Sequence, residues 1–158
     1  MEQQFHKTNK ILWIGILCGM IILSGIIFYL DSYLFIKPHK DQKMISDIVF
    51  LLALIFAIAI FIFKRSFFQP MKLVSGLGKD KTTAVMLSIR RRYMIIWALA
   101  ELILLLGFIQ YILTANFNQF IILGIVSFYS IFINKPQEKL FEICKEYLSD
   151  NSDQYDSN

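Results

Sequence analysis

At 158 residues, 56% hydrophobic and 18% charged, the chain is too apolar for a disordered polymer. With two cysteines it is too poor in sulfur for a disulfide scaffold. Its net charge of +4 comes without a nucleic-acid-binding signature, and its mean hydropathy of +0.56 is concentrated in four long apolar blocks rather than spread over one soluble core.

The first block, residues 11–30, holds twenty residues without a charge. About 20 helical residues cross a hydrocarbon core of roughly 30 Å, so this block predicts a transmembrane helix. Lys7 and Lys10 ahead of it resemble a secretory leader. The apolar run is too long for one, and no A-x-A site follows, so the helix is read as retained. Gly15, Gly19 and Gly25 place small residues along it, the first two spaced as G-x-x-x-G. Such a stripe serves either packing inside the bundle or homodimerisation. Cys18 is read as a small core residue. The segment 31–43 is short, broken by Pro38, and its 33–36 stretch predicts a rest at the membrane interface.

The second block, 44–63, has Asp47 near its start, where an acid complements the helix dipole, and a small-residue pair at Ala53 and Ala57. A basic loop, 64–92, follows. It contains GLGKDKTT, which imitates a phosphate loop, but Leu73 stands where that pattern needs Gly and Asp80 where it needs Ser or Thr. No breaker separates Thr82 from the third block, so a helix is expected to run from Thr82 through 93–114. The tight turn at 114–117 predicts an antiparallel hairpin with the fourth block, 118–133, the shortest. Pro136, Leu140, Phe141, Ile143, Cys144, Tyr147 and Leu148 predict an amphipathic helix over 136–148, lying on the membrane surface or on the basic loop. Cys144 would then face the reducing cytoplasm. Residues 149–158 are almost all polar and are expected to be disordered. The fold class is therefore all-α: four transmembrane helices and a short cytoplasmic one.

Charge sets the orientation. Of sixteen Lys and Arg, thirteen fall before helix one, between two and three, or after four, and three fall between one and two. Basic loops stay cytoplasmic, which places both termini inside and the chain in the cytoplasmic (inner) membrane. This rule accounts for Arg90, Arg91 and Arg92; an anionic-lipid contact at the same three residues is the functional alternative.

Glu101 is the residue that composition does not explain. It lies nine residues past Arg92, about 13.5 Å along a helix and near mid-membrane. Burying a carboxyl there costs about 2.5 kcal/mol or more, and desolvation favours the neutral acid. No Lys, Arg or His lies within any block to pair with it. Trp97, four residues earlier, could donate its indole N–H, and Cys18 and Ser127 lie at similar depth. Glu101 thus serves as a proton or cation site, as a contact to a second membrane protein or copy, or as a structural hydrogen-bonding acid. No catalytic triad, metal spacing, CxxC or nucleotide loop is present, so no metal or cofactor is expected and the chain is read as non-enzymatic.

Arg92-Tyr93, Ala98-Leu99-Ala100-Glu101, Gly107-Phe108, Leu113-Thr114 and Lys135-Pro136 resemble a set of uncharacterised small four-helix bacterial membrane proteins. The Ala-Leu-Ala-Glu stretch with Gly107 six residues on also resembles the ion-binding helix of rotary ATPase proteolipid subunits. That resemblance implies that Glu101 would bind the transported proton or sodium. Proteolipid helices are glycine-rich, whereas this chain has seven Gly in all. The functional expectation is an accessory or assembly subunit acting through helix faces and cytoplasmic contacts, with a proton- or cation-coupled transporter or channel as the competing class.

Overall fold

The structure, a computed structural model, describes residues 2–33, 43–68, 81–137, 139–140, 142–144 and 146. Their regular structure is helical: α1 (Glu2–Tyr33), α2 (Lys43–Phe67), α3 (Lys81–Thr114) and α4 (Phe117–Ile133), with further helical residues within 139–146. The expected outer loop beyond Tyr33, residues 69–80 of the basic loop with the GLGKDKTT string, Phe141 and the tail 147–158 lie outside the described residues. Three helices, α1 to α3, are long and apolar enough to cross a membrane; α4 is apolar but has 17 residues, a rise of about 25 Å.

The helices run up, down, up, down. α3 is the hub: it packs most extensively on α4 and α2 and also touches α1, and half of its apolar stretch is buried. α1 and α2 expose most of theirs. Between helices in lipid, hydrophobic transfer gives little drive, so close packing and buried polar contacts hold such a bundle.

α1 starts well before the apolar block that betrays it. Thr8 Oγ1 donates back to the Gln4 carbonyl at 2.8 Å, and nothing in this stretch breaks a helix. Tertiary contact then fixes the polar turns: Arg90 Nε donates to Asn9 Oδ1 at 3.0 Å, and its guanidinium lies 5.1 Å from the centre of the Phe5 ring. α3 begins one residue before Thr82, as the unbroken sequence implies. Because α2 begins at Lys43, Asp47 falls in its second turn rather than its first, and it is exposed.

The α3–α4 hairpin turns on two residues. Ala115 takes a left-handed conformation (φ 52°), its N–H donating to the Tyr111 carbonyl at 2.7 Å. Asn116 caps α4, its side chain accepting from the Gln119 N–H at 3.3 Å. Gly107 lets the two helices close up: a Cβ there would stand 3.2 Å from Leu123 Cβ.

The small residues divide. Ala53 is fully buried and Ala57 packs against the core. Gly15, Gly19 and Gly25 do not pack inside the bundle: all three are exposed, and a Cβ on any of them would meet nothing within 4 Å. Cys18 shares that open face, which corrects its reading as a core residue. α1 instead faces the bundle with Phe5, Asn9, Met20 and Ile27.

Candidate functional site

Glu101 sits on α3 at the border between the buried Trp97, Ala100 and Leu104 and the exposed Ala98, Leu102 and Leu105. It is half-buried and makes no hydrogen bond or ion pair with a described residue. Trp97 does not serve it: its Nε1 donates to the Asn134 carbonyl at 2.9 Å, toward the end of α4. A position four residues away offers proximity along the helix, but the indole is long enough to reach past it to a carbonyl at the end of α4 that the helix cannot satisfy itself. Ser127 is buried and donates to the Ala100 carbonyl, so its hydroxyl is spent on the α3 backbone beside Glu101. Cys18 faces outward on α1. The structure thus brings Ser127 close to the Glu101 segment and leaves Trp97 and Cys18 in other surroundings.

A second polar cluster lies at the end of the bundle near the α3–α4 turn. Gln110, fully buried, donates from Nε2 to Ser46 Oγ at 3.0 Å and to Gln119 Oε1 at 2.6 Å, joining α2, α3 and α4. Its Oε1 is buried without a partner. Tyr111 Oη donates to Asp31 Oδ1 at 2.9 Å, joining α3 to α1. Sequence reading missed these residues because Gln, Ser and Tyr near helix ends look interfacial; the only available signal was their clustering at one predicted depth.

The opposite end gathers the basic residues. The last carbonyls of α4, which a helix cannot satisfy itself, are each taken. Asn134 Nδ2 donates to the Ser130 carbonyl at 2.7 Å and the Lys135 N–H to that of Phe132 at 3.3 Å. Trp13 Nε1 donates to the Ile131 carbonyl at 3.1 Å, Lys64 Nζ to that of Ile133 at 3.4 Å, and Trp97 to that of Asn134. α1, α2 and α3 therefore all seat the end of α4.

The three consecutive arginines do not form one patch. Arg90 turns to α1, Arg91 is exposed, and Arg92 is half-buried toward Cys144. The segment after Pro136 docks on the bundle rather than lying free of it: Cys144 is fully buried and Leu140 packs against the core. Burial pushes the Cys144 thiol up, while the Arg92 guanidinium pulls it partly back. The thiol is thus shielded within the bundle rather than open to its surroundings.

Beside Lys64 opens a cavity of about 350 Å³, lined by Phe61, Lys64, Arg65, Phe68, Tyr93, Lys135 and their neighbours, with no carboxylate among its described lining residues. An apolar groove of about 410 Å³ runs between α1 and α4, from Ser24 and Phe28 to Phe128 and Tyr129. Glu101 lines neither. Among the described residues, no group of three His, Cys, Asp or Glu side chains is placed to hold a metal ion. Comparison with protein-family models, curated proteins and solved structures finds no match to this chain.

Proposed function

We propose that this chain is a non-enzymatic accessory or assembly subunit of the cytoplasmic (inner) membrane, crossing it four times with both termini inside and docking a second membrane protein along the Glu101 edge of α3. The observation that carries this reading is Glu101 itself: an acid within an apolar helix, at the rim of the packed core, without a hydrogen-bond or ion-pair partner among the described residues. A carboxyl left so in lipid costs about 2.5 kcal/mol or more, and a hydrogen-bond donor from a neighbouring protein recovers it. Transport would call for a wet path to the carboxyl, and Glu101 lines neither of the two cavities named above. The positive-inside asymmetry supports the orientation.

Photo-crosslinking side chains at Ala98 and Leu105 flank Glu101 on its exposed edge, and one at Ile55 on α2 serves as comparison. The expected result is a discrete protein adduct from 98 and 105 and not from 55, retained in Glu101→Gln and lost in Glu101→Lys. Lipid adducts alone at all three positions overturn the docking reading. A Glu101→Gln chain that folds and localises normally but loses function, together with carbodiimide labelling of Glu101 that cations suppress, assigns it to proton or cation coupling instead. For orientation, a chain lacking Cys18 and Cys144 should be labelled from outside intact cells at a cysteine replacing Asn116, not at one replacing Arg91. The reverse pattern overturns the topology.

A further inference from the structure

We propose that the cavity bounded by Lys64, Arg65, Tyr93 and Lys135 is a binding site for the phosphate headgroup of an anionic phospholipid. The site differs from the arginine triplet at 90–92, whose members point to three different surroundings. Four donors meet at the cavity wall. Lys64 spends one N–H on the Ile133 carbonyl, at a long 3.4 Å, and keeps the rest. Arg65 is exposed and makes no hydrogen bond or ion pair with a described residue. Lys135 Nζ stands 5.9 Å from the centre of the Trp13 ring, which holds the chain in place without consuming its N–H groups. Tyr93, almost fully buried, accepts from the Gln137 N–H at 3.3 Å and has no acceptor for its own hydroxyl proton among the described residues. The end of α4 brings a partial negative charge to this region, but three full cations outweigh it. A wall of donors with no carboxylate among its described residues complements a group made of acceptors, and phosphate oxygens are that group.

The rest of the wall selects a lipid over a soluble phosphate. Phe61, Phe68, Ile133 and Leu140 line the same cavity. Phe61 is 72% exposed on the outer face of α2, one turn before the two cations, so an acyl chain can leave the headgroup along it. This inference rests on the membrane placement proposed above, and not on the accessory role.

The test uses the full chain in native membranes and then in neutral detergent. Resistance to alkaline extraction is measured first. The detergent-solubilised chain is then titrated with phosphatidylglycerol, with phosphatidylcholine of the same acyl chains, and with inorganic phosphate, and bound adducts are counted by native mass spectrometry. The expected result is retention of one phosphatidylglycerol, little phosphatidylcholine and no phosphate. Arg65→Gln should weaken retention about fivefold, the order expected for one basic residue at an anionic surface. Tyr93→Phe should weaken it less, and Arg91→Gln, which removes the same charge outside the cavity, should leave it unchanged. Equal retention of the two lipids, equal losses in Arg65→Gln and Arg91→Gln, or capture of free phosphate each overturns the lipid site. A chain that alkali strips from the membrane overturns the membrane placement and the lipid site together.

Discussion

Ala115 and Cys144 each carry a conformational or chemical cost that a single substitution can expose. A non-glycine residue held at positive φ is disfavoured by about 1–2 kcal/mol. Ala115→Gly relieves that without removing a packed side chain, so thermal unfolding in detergent should shift upward by an amount equivalent to about 1 kcal/mol, the loss of chain entropy offsetting part of the gain. Cys144 is a raised thiol. Folding therefore favours its neutral form: the contribution is complete below the ordinary thiol value of about 8.5 and fades as pH rises through the higher folded value. Iodoacetamide labelling of Cys144 at pH 8 should be slow in the folded chain and fast after unfolding in dodecyl sulfate. Arg92→Gln, which removes the neighbouring cation, should slow it further in the folded chain. Equal rates before and after unfolding would mean the thiol is not buried as the structure has it.

The helices themselves were largely legible as apolar runs, because a span in lipid must satisfy its backbone internally and must be long. The α3–α4 hairpin was legible for the same reason, its turn being too short for any other geometry. What escaped was which side each helix turns inward. G-x-x-x-G at Gly15 and Gly19 has the same spacing whether it meets a neighbour or open lipid, and here it meets nothing in the chain. The start of α1 escaped because Glu2–Asn9 carry no apolar periodicity and are held by Arg90, a contact remote in sequence. Trp97 takes a different acceptor from the one its spacing suggests, since a local i, i−4 neighbour is visible in sequence and a helix end 37 residues away is not. Gly107, by contrast, reports its own environment. Gly107→Val should force α3 and α4 apart and cost about 1–3 kcal/mol, whereas Gly15→Val should be near neutral; thermal unfolding of the two variants side by side checks this.

The molecule is a hub with two differently built ends. One end is neutral and joined by amides and hydroxyls, through Ser46, Gln110 and Gln119 and through Tyr111 and Asp31. The other is basic and joined by side chains reaching to the end of α4. On the orientation proposed above, positive-inside bias accounts for where the cations lie along the chain, but not for their sorting into Arg90 on α1, Arg92 near Cys144, and Lys64 with Arg65 and Lys135 around a cavity. That sorting follows from helix phase, which the pattern of charges alone does not contain. The two ends also predict different sensitivities. Trp97→Phe leaves the buried Asn134 carbonyl without its donor and should cost about 1–3 kcal/mol. The joint at the neutral end already contains an unpartnered amide oxygen at Gln110. Gln110→Leu would remove that orphan together with two good bonds, while Ser46 Oγ keeps its own hydrogen bond to Gln119 Oε1 at 3.5 Å, so it should destabilise less than Trp97→Phe. Unfolding temperatures of the two variants provide the comparison.

The seating of α4 also bears on biosynthesis. Of the four helices α4 leaves the ribosome last, and among the described residues the carbonyls of Ile131, Ile133 and the capping Asn134 are answered by Trp13, Lys64 and Trp97, residues on the three helices made before it. A buried backbone carbonyl left without a donor costs about 1–3 kcal/mol. On the membrane placement proposed above, α4 then enters as the closing piece of a preassembled trio rather than as a segment judged on its own apolarity. Cutting the gene between the codons for Ala115 and Asn116 should make this visible. The fragment 116–158 expressed alone should be degraded, and co-expression of 1–115 should protect it. With Trp13 and Trp97 both changed to Phe in the larger fragment, that protection should fail.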